Sequence, residues 1–190
     1  MKKLSAKAIL IPTVSLLLIC AVTSTLLALT NKITAQKITE MEAKAAVDAQ
    51  SAVLPEGKSF EDGVITYESK EYTYHIGKND AGETAGYVIT TSANGYGGPI
   101  KVMTGIDPEG TVTGMEILSL NETAGLGMNA DQKSFKDQFT GLIKNIGINK
   151  GAQGDNEIQA ITGATITSKA VTKAVNEALS IFDEITGGEK

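Results

Sequence analysis

Arginine and tryptophan are absent from the 190-residue chain, and cysteine and histidine occur once each, as Cys20 and His75. A single cysteine excludes an intramolecular disulfide framework and any cysteine-held iron–sulfur cluster within this chain. One histidine leaves too few soft ligands for the usual closed zinc sites. All 17 basic residues are lysines, against 22 acids, for a formal net charge of -5. An acidic chain without arginine's planar fork is not expected to bind nucleic acid. There is no internal repeat or low-complexity tract, and the length suits one ordinary domain with a modest appendage.

Charge is also missing locally. From Ala8 to Asn31 runs an uncharged stretch of 24 residues, bounded by Lys7 and Lys32. At about 1.5 Å per helical residue it is long enough to cross a hydrocarbon core of roughly 30 Å. Pro12 is expected in the first helical turn, where its missing N–H costs least. A cleaved signal peptide is the competing reading. Its apolar core is usually shorter, and Leu26-Leu27-Ala28-Leu29-Thr30 offers no small-x-small cleavage site. Cys20 follows Leu17-Leu18-Ile19, but bulky Ile19 and the apolar residues beyond argue against a lipoprotein box. Lys2, Lys3 and Lys7 precede the span, which places the N-terminus in the cytoplasm and the remainder outside the cell membrane.

Residues 32–190 hold 14 lysines and 22 acids, a net of -8, so this part is soluble and poorly suited to lie on an anionic membrane. From Lys32 to about Leu54, Ala, Lys, Glu, Gln and Met dominate, and Pro55-Glu56-Gly57 ends the pattern. A juxtamembrane helical stalk is expected there. Beyond it, β-like runs at Gly63–Tyr67, Tyr72–Ile76, Gly86–Thr91, Ile100–Ile106 and Val112–Leu120 are rich in Val, Ile, Thr and Tyr. Asp107-Pro108-Glu109-Gly110 is a turn. Asp131–Gln138 and Ser168–Ile185 read as helices, the second strongly amphipathic. The expected fold class is α+β, a mainly antiparallel sheet with packed helices, preceded by one N-terminal transmembrane helix. The expected domains are 1–31 (cytoplasmic tip and anchor), 32–57 (stalk) and 58–190 (the functional domain).

Several motifs compete for the chemistry. Gly125-Leu126-Gly127-Met128-Asn129-Ala130 formally matches a dinucleotide fingerprint but lacks the long helix and downstream acid that the fingerprint needs. Asn121-Glu122-Thr123 is a glycosylation triplet of a kind that arises often by chance. His75 lies in a Tyr-rich strand with no nucleophile-elbow pattern in the chain, so a surface histidine is the preferred reading. Thr162-Gly163-Ala164-Thr165-Ile166-Thr167-Ser168-Lys169 is more informative, with four hydroxyls just before the last helix. Backbone N–H groups at a helix N-terminus bind phosphate, and hydroxyls add donors. Capping of the helix by Thr167 or Ser168 is the alternative, and the residues alone leave both open.

Three of these segments resemble one family. Thr162-Gly163-Ala164-Thr165 resembles the S/T-G-A-T motif of FMN-binding domains that carry covalent flavin, Glu122-Thr123-Ala124-Gly125-Leu126-Gly127 their E-T-P-G-L-G loop, and Gly95-Tyr96-Gly97-Gly98-Pro99-Ile100 their G-Y-G-G-P-I segment. Within that family the whole chain is similar to the G subunits of Rnf electron-transport complexes. Two departures are Ala124 in place of proline and Gln159 where an aspartate often precedes the motif.

The resemblance implies FMN held through a phosphoester on Thr165, attached by a flavin transferase of the ApbE family using FAD. It implies Thr162, Gly163, Ala164, Glu122, Thr123, Gly125, Leu126 and Gly127 as further cofactor-binding residues, with no catalytic side chain and no metal. Lys169 and the helix N-terminus would offset the phosphate charge. The implied role is an electron-carrier subunit, rather than a complete enzyme, of a membrane complex passing electrons between ferredoxin and NAD coupled to ion transport. The alternatives are a freestanding anchored flavoprotein for extracellular electron transfer and a non-redox anchored domain that binds a phosphate-bearing ligand.

Overall fold

The protein is described by a computed structural model covering residues 6–151 and 154–187. Lys2 and Lys3, on which the expected orientation partly rests, lie outside the described residues. The chain divides into two compact units, Met1–Lys44 and Ala45–Lys190.

The first unit is helical. Helix α1 spans Ala6–Val53, and its apolar segment Leu10–Ala35, 26 residues long, reaches a mean hydropathy of 2.2 over an 18-residue stretch, with none of it buried within the protein. The hydroxyls of Thr23, Thr25 and Thr30 donate to the carbonyls of Ile19, Ala21 and Leu26 at 2.7–2.9 Å. Those polar groups are thereby satisfied within the helix, as an apolar medium demands. Ala6 to Ile11 are already helical, so Pro12 lies beyond the first turn of α1 and not within it. Cys20 is a free, exposed residue of this segment.

In the second unit, five strands follow one another as an antiparallel meander: β1 (Ser59–Tyr67), β2 (Lys70–Lys78), β3 (Thr84–Asn94), β4 (Pro99–Ile106) and β5 (Val112–Ser119). All five expected runs are present, each extended at one or both ends except β5, which stops one residue earlier. The β1–β2 hairpin turns on Glu68 and Ser69, both at positive φ (47° and 64°), a turn with no glycine or asparagine to announce it. Between β4 and β5, Asp107 Oδ1 accepts the N–H groups of Glu109 and Thr111 at 3.0 and 2.7 Å, which fixes the expected turn.

Helix α3 (Thr165–Ile185) covers one face of the sheet. Its Val171, Ala174, Val175, Ala178 and Leu179 pack with Ile89, Ile100, Val102 and Ile106. Alanines on this stripe let helix and sheet approach, and Thr91 Oγ1 donates to the Ala174 carbonyl at 2.8 Å. The opposite face is covered in part by the end of α1: Ala49, Val53 and Leu54 are buried with Val88 and Met103. Thr113 Oγ1 donates to the Val53 carbonyl at 2.5 Å, satisfying one of the orphan acceptors at the helix end. The sheet unit therefore begins at Ala45, inside the stretch expected as a stalk.

One expected helix is corrected, and one small sheet is added. Asp131–Gln138 is not one helix: a 3₁₀ turn at Gly127–Asp131, one α-turn α2 (Lys133–Lys136) and a second 3₁₀ turn at Asp137–Phe139 replace it, because Gln132 is extended (ψ 140°). Phe135 and Phe139 still meet edge-on, centroids 5.6 Å apart, and are buried. A short parallel pair, β6 (Gly147–Asn149) and β7 (Glu157–Gln159), is too brief to leave a pattern in the sequence.

Candidate flavin site

The register of the sheet sets the site. Asn94 pairs with Pro99 and Lys101 with Ser119, so the β3–β4 loop and the segment leaving β5 emerge at the same end of the sheet. The turn leading into α3 joins them, and the three segments enclose a groove of about 500 Å³. That volume lies within the range of small-molecule sites. Tyr96 lines it from the first segment, Glu122, Thr123, Leu126 and Gly127 from the second, and Gly163 to Thr167 from the third.

The segments meet through glycine. A Cβ on Gly127 would lie 2.7 Å from Glu122 Oε2 and 2.8 Å from Thr167 Oγ1, so only glycine permits this approach. Gly163 has φ +77°, the left-handed conformation of a turn closed by Ala164 N–H on the Ile161 carbonyl at 3.0 Å. A Cβ there would also stand 3.1 Å from Leu126 Cδ2, which shows how closely Leu126 packs on this turn. The Thr123 carbonyl accepts the N–H groups of Leu126 and Met128 at 3.1 and 3.2 Å, folding the second segment into a tight loop.

Helix α3 begins at Thr165, three residues before the expected start. Its N-cap, Ala164, offers no side-chain acceptor, so the first-turn N–H groups are not capped by a side chain. Neither expected cap acts as one. Ser168 Oγ instead donates to the Ala164 carbonyl and accepts the Ile161 N–H, both at 3.0 Å. Thr165 is half-buried on the groove wall as the first helical residue. An uncapped helix N-terminus, a hydroxyl at its first position and an apolar groove with exposed Tyr96, Leu126 and Ile166 fit a ligand that joins a phosphate to a flat ring. These residues therefore suit FMN.

Of the residues expected from sequence, Thr165, Gly163, Ala164, Glu122, Thr123, Leu126 and Gly127 line the groove together. Thr162 and Gly125 flank it without lining it. Tyr96, Ile166 and Thr167 are additions to that set, although Tyr96 lies within the G-Y-G-G-P-I segment and the other two directly follow Thr165. Gly125–Ala130 runs from an irregular loop into a 3₁₀ turn, not from a strand into a long helix, so the dinucleotide fingerprint has no structural counterpart. His75 Nδ1 lies 2.7 Å from Asp62 Oδ1 across the β1–β2 pair, a cross-strand contact away from the groove.

A second, more polar cavity of about 660 Å³ adjoins β5 and α2. Lys136 there contacts Glu116 at 2.5 Å and Asp131 at 3.3 Å. Burial pulls the Lys136 ammonium down, but the two carboxylates outweigh it and its pKa is raised.

Comparison with known proteins identifies the class first: residues 95–180, which contain all three segments, match the FMN-binding domain. The chain is 40% identical over 188 residues to the G subunit of the Na(+)-translocating ferredoxin:NAD(+) oxidoreductase complex of Acetobacterium woodii, covering 90% of each chain. It is 38% identical over 133 residues to the G subunit of the proton-translocating ferredoxin:NAD(+) oxidoreductase complex of Clostridium ljungdahlii, covering 66% of this chain and 72% of that one. The chain belongs to the family of G subunits of ion-translocating oxidoreductase complexes. Among solved structures, the C subunit of the Na(+)-translocating NADH-quinone reductase of Parabacteroides distasonis superposes with a TM-score of 0.50 at 26% identity. That match covers 58% of this chain and 60% of the other.

Proposed function

We propose that the chain is the flavin-carrying electron-transfer subunit of a membrane-bound ferredoxin:NAD oxidoreductase complex coupled to ion translocation. The observation that carries this reading is Thr165 at the uncapped start of α3, on the wall of an apolar groove within the FMN-binding domain. FMN bound there supplies a ring that accepts and releases electrons. Thr165 Oγ1 would be the attachment point: a flavin transferase of the ApbE family would transfer the FMN phosphoryl group from FAD to this hydroxyl, which loses its proton as AMP leaves. The first-turn N–H groups of α3 would hold the phosphate, and Lys169, one turn along the same helix, would offset its charge. Leu126, Tyr96 and Ile166 would present apolar surface to the ring, and Gly127 lets the loop pack against Glu122 and Thr167 beside it. The protein thus supplies orientation and electrostatics, and Thr165 takes no part in the redox step.

The anchor and the domain have separate tasks. Leu10–Ala35 holds the chain in the cell membrane as a single pass, with the N-terminus cytoplasmic and the flavin domain outside. A covalent bond there prevents loss of a cofactor that cannot be replaced outside the cell. The other subunits of the complex are its partners.

The direct experiment is intact mass of the full-length chain made with and without an ApbE-family transferase. A gain of one FMN, with yellow colour kept through denaturation, is the expected result; equal masses would refute covalent attachment. Co-purification with several polytopic subunits separates the complex from a freestanding flavoprotein. Protease added to wall-free cells is expected to digest the domain, and protection until the membrane is opened would reverse the orientation.

A further inference from the structure

We infer that Glu122 is a positioning residue for Tyr96: its carboxylate fixes the β3–β4 loop so that the Tyr96 ring forms one wall of the groove. The inference rests on the flavin reading above only for what the wall contacts. Tyr96 is 74% exposed, and its loop offers little to hold it, since Gly95 precedes it and Gly97 and Gly98 follow. The loop closes on itself through the Gly95 N–H to the Gly98 carbonyl at 2.8 Å. Its other anchor is Glu122, whose Oε1 accepts the Tyr96 N–H at 2.8 Å and the Gly97 N–H at 3.4 Å across 26 and 25 residues. An ionised acceptor makes such bonds stronger than a neutral one.

Close approach supports the same assignment. A Cβ on Gly95 would collide with Glu122 Oε1, and one on Gly97 with the Asn121 carbonyl, so the loop is pressed onto the segment that carries Glu122. The second carboxylate oxygen, Oε2, lies against Gly127 at the far end of Glu122's own segment. One side chain therefore ties the Tyr96 loop to the Glu122–Gly127 segment and sets the spacing between them. Both Glu122 and Tyr96 line the groove, but Glu122 commits Oε1 to the loop backbone. Its influence on a bound ring is then exerted through where Tyr96 stands.

The test uses the full-length protein in detergent, as Glu122→Gln, Glu122→Ala, Tyr96→Leu and the Tyr96→Leu/Glu122→Ala pair. In flavin-free protein, amide exchange at Tyr96 and Gly97 is expected to rise roughly tenfold in Glu122→Ala and to stay near the parent rate in Glu122→Gln, which keeps the acceptor. Amides of the core strand residue Val102 serve as the unchanged reference. In protein whose flavin load is verified by mass, Tyr96→Leu and Glu122→Ala should each raise flavin fluorescence, because an aromatic ring against the flavin quenches it. The pair should be no brighter than Tyr96→Leu alone. Unchanged exchange in Glu122→Ala overturns the inference, as does an additive gain of fluorescence in the pair. Protein that takes up no flavin refutes the flavin reading instead, and the exchange rates still decide the role of Glu122.

Discussion

Ser168 Oγ points back along its own helix to the Ala164 carbonyl, 3.0 Å away, and at the same distance receives the N–H of Ile161. The hydroxyl ties the incoming turn to α3 and leaves the helix start open. Ser168 is fully buried while Thr165 is only half-buried, so two hydroxyls three residues apart do different work. Ser168→Ala strands the part-buried N–H of Ile161 and is expected to cost about 1 kcal/mol. Thr165→Ala should change stability by less than about 0.5 kcal/mol. Denaturant melts of the two flavin-free variants check this, and equal losses would contradict it.

Much of the fold is legible in local sequence pattern. Five β-branched runs between turn residues are five strands, and the apolar stripe from Ala170 to Phe182 is the buried face of α3. Local pattern suffices there because each element's burial follows its own period. What it misses depends on distance along the chain. The bond from Glu122 to Tyr96 spans 26 residues, and no local rule announces it. Val53 and Leu54 read as the end of a stalk, yet they are buried because the second face of the sheet needs a cover. Helix α3 starts three residues earlier than its hydroxyls suggest, since Thr167 and Ser168 look like caps although Ala164 holds that position.

Thr104 lies in the core between sheet and α3, and its hydroxyl is, among the described residues, a buried side-chain oxygen with no hydrogen-bond partner. Replacing that hydroxyl with a methyl of the same shape removes its desolvation cost. Thr104→Val is expected to raise stability by about 1 kcal/mol, read as a higher denaturation midpoint at unchanged slope. A loss of stability would show that the oxygen has a partner after all.

Tyr72 donates to the Glu177 carboxylate, and burial followed by this bond pushes its phenol up to about 12 from the ordinary 10.0. The folded pKa exceeds the unfolded one, so Tyr72 contributes its stability fully below pH 10 and loses it as the pH climbs through 12. Ultraviolet titration of tyrosinate should find one late-ionising phenol, moved down toward the ordinary value by Glu177→Gln. An unmoved late phenol would assign the effect to another tyrosine.

Leu126 is 43% exposed on the groove wall and packs on the Gly163 turn. Leu126→Ala is expected to shift the bound flavin's absorbance or midpoint potential while covalent yield stays near normal, because the attachment motif is intact. Unchanged spectrum and potential would make Glu122–Gly127 an ordinary turn after β5.

The central claim is that Thr165 carries the flavin, and fragmentation of one peptide tests it most directly. Trypsin leaves Thr162, Thr165 and Thr167 together in the peptide that ends at Lys169, so backbone fragmentation must assign the adduct. One FMN on Thr165 is the predicted result for protein made with the transferase. An adduct on Thr162 or Thr167, or an unmodified peptide, would contradict the account.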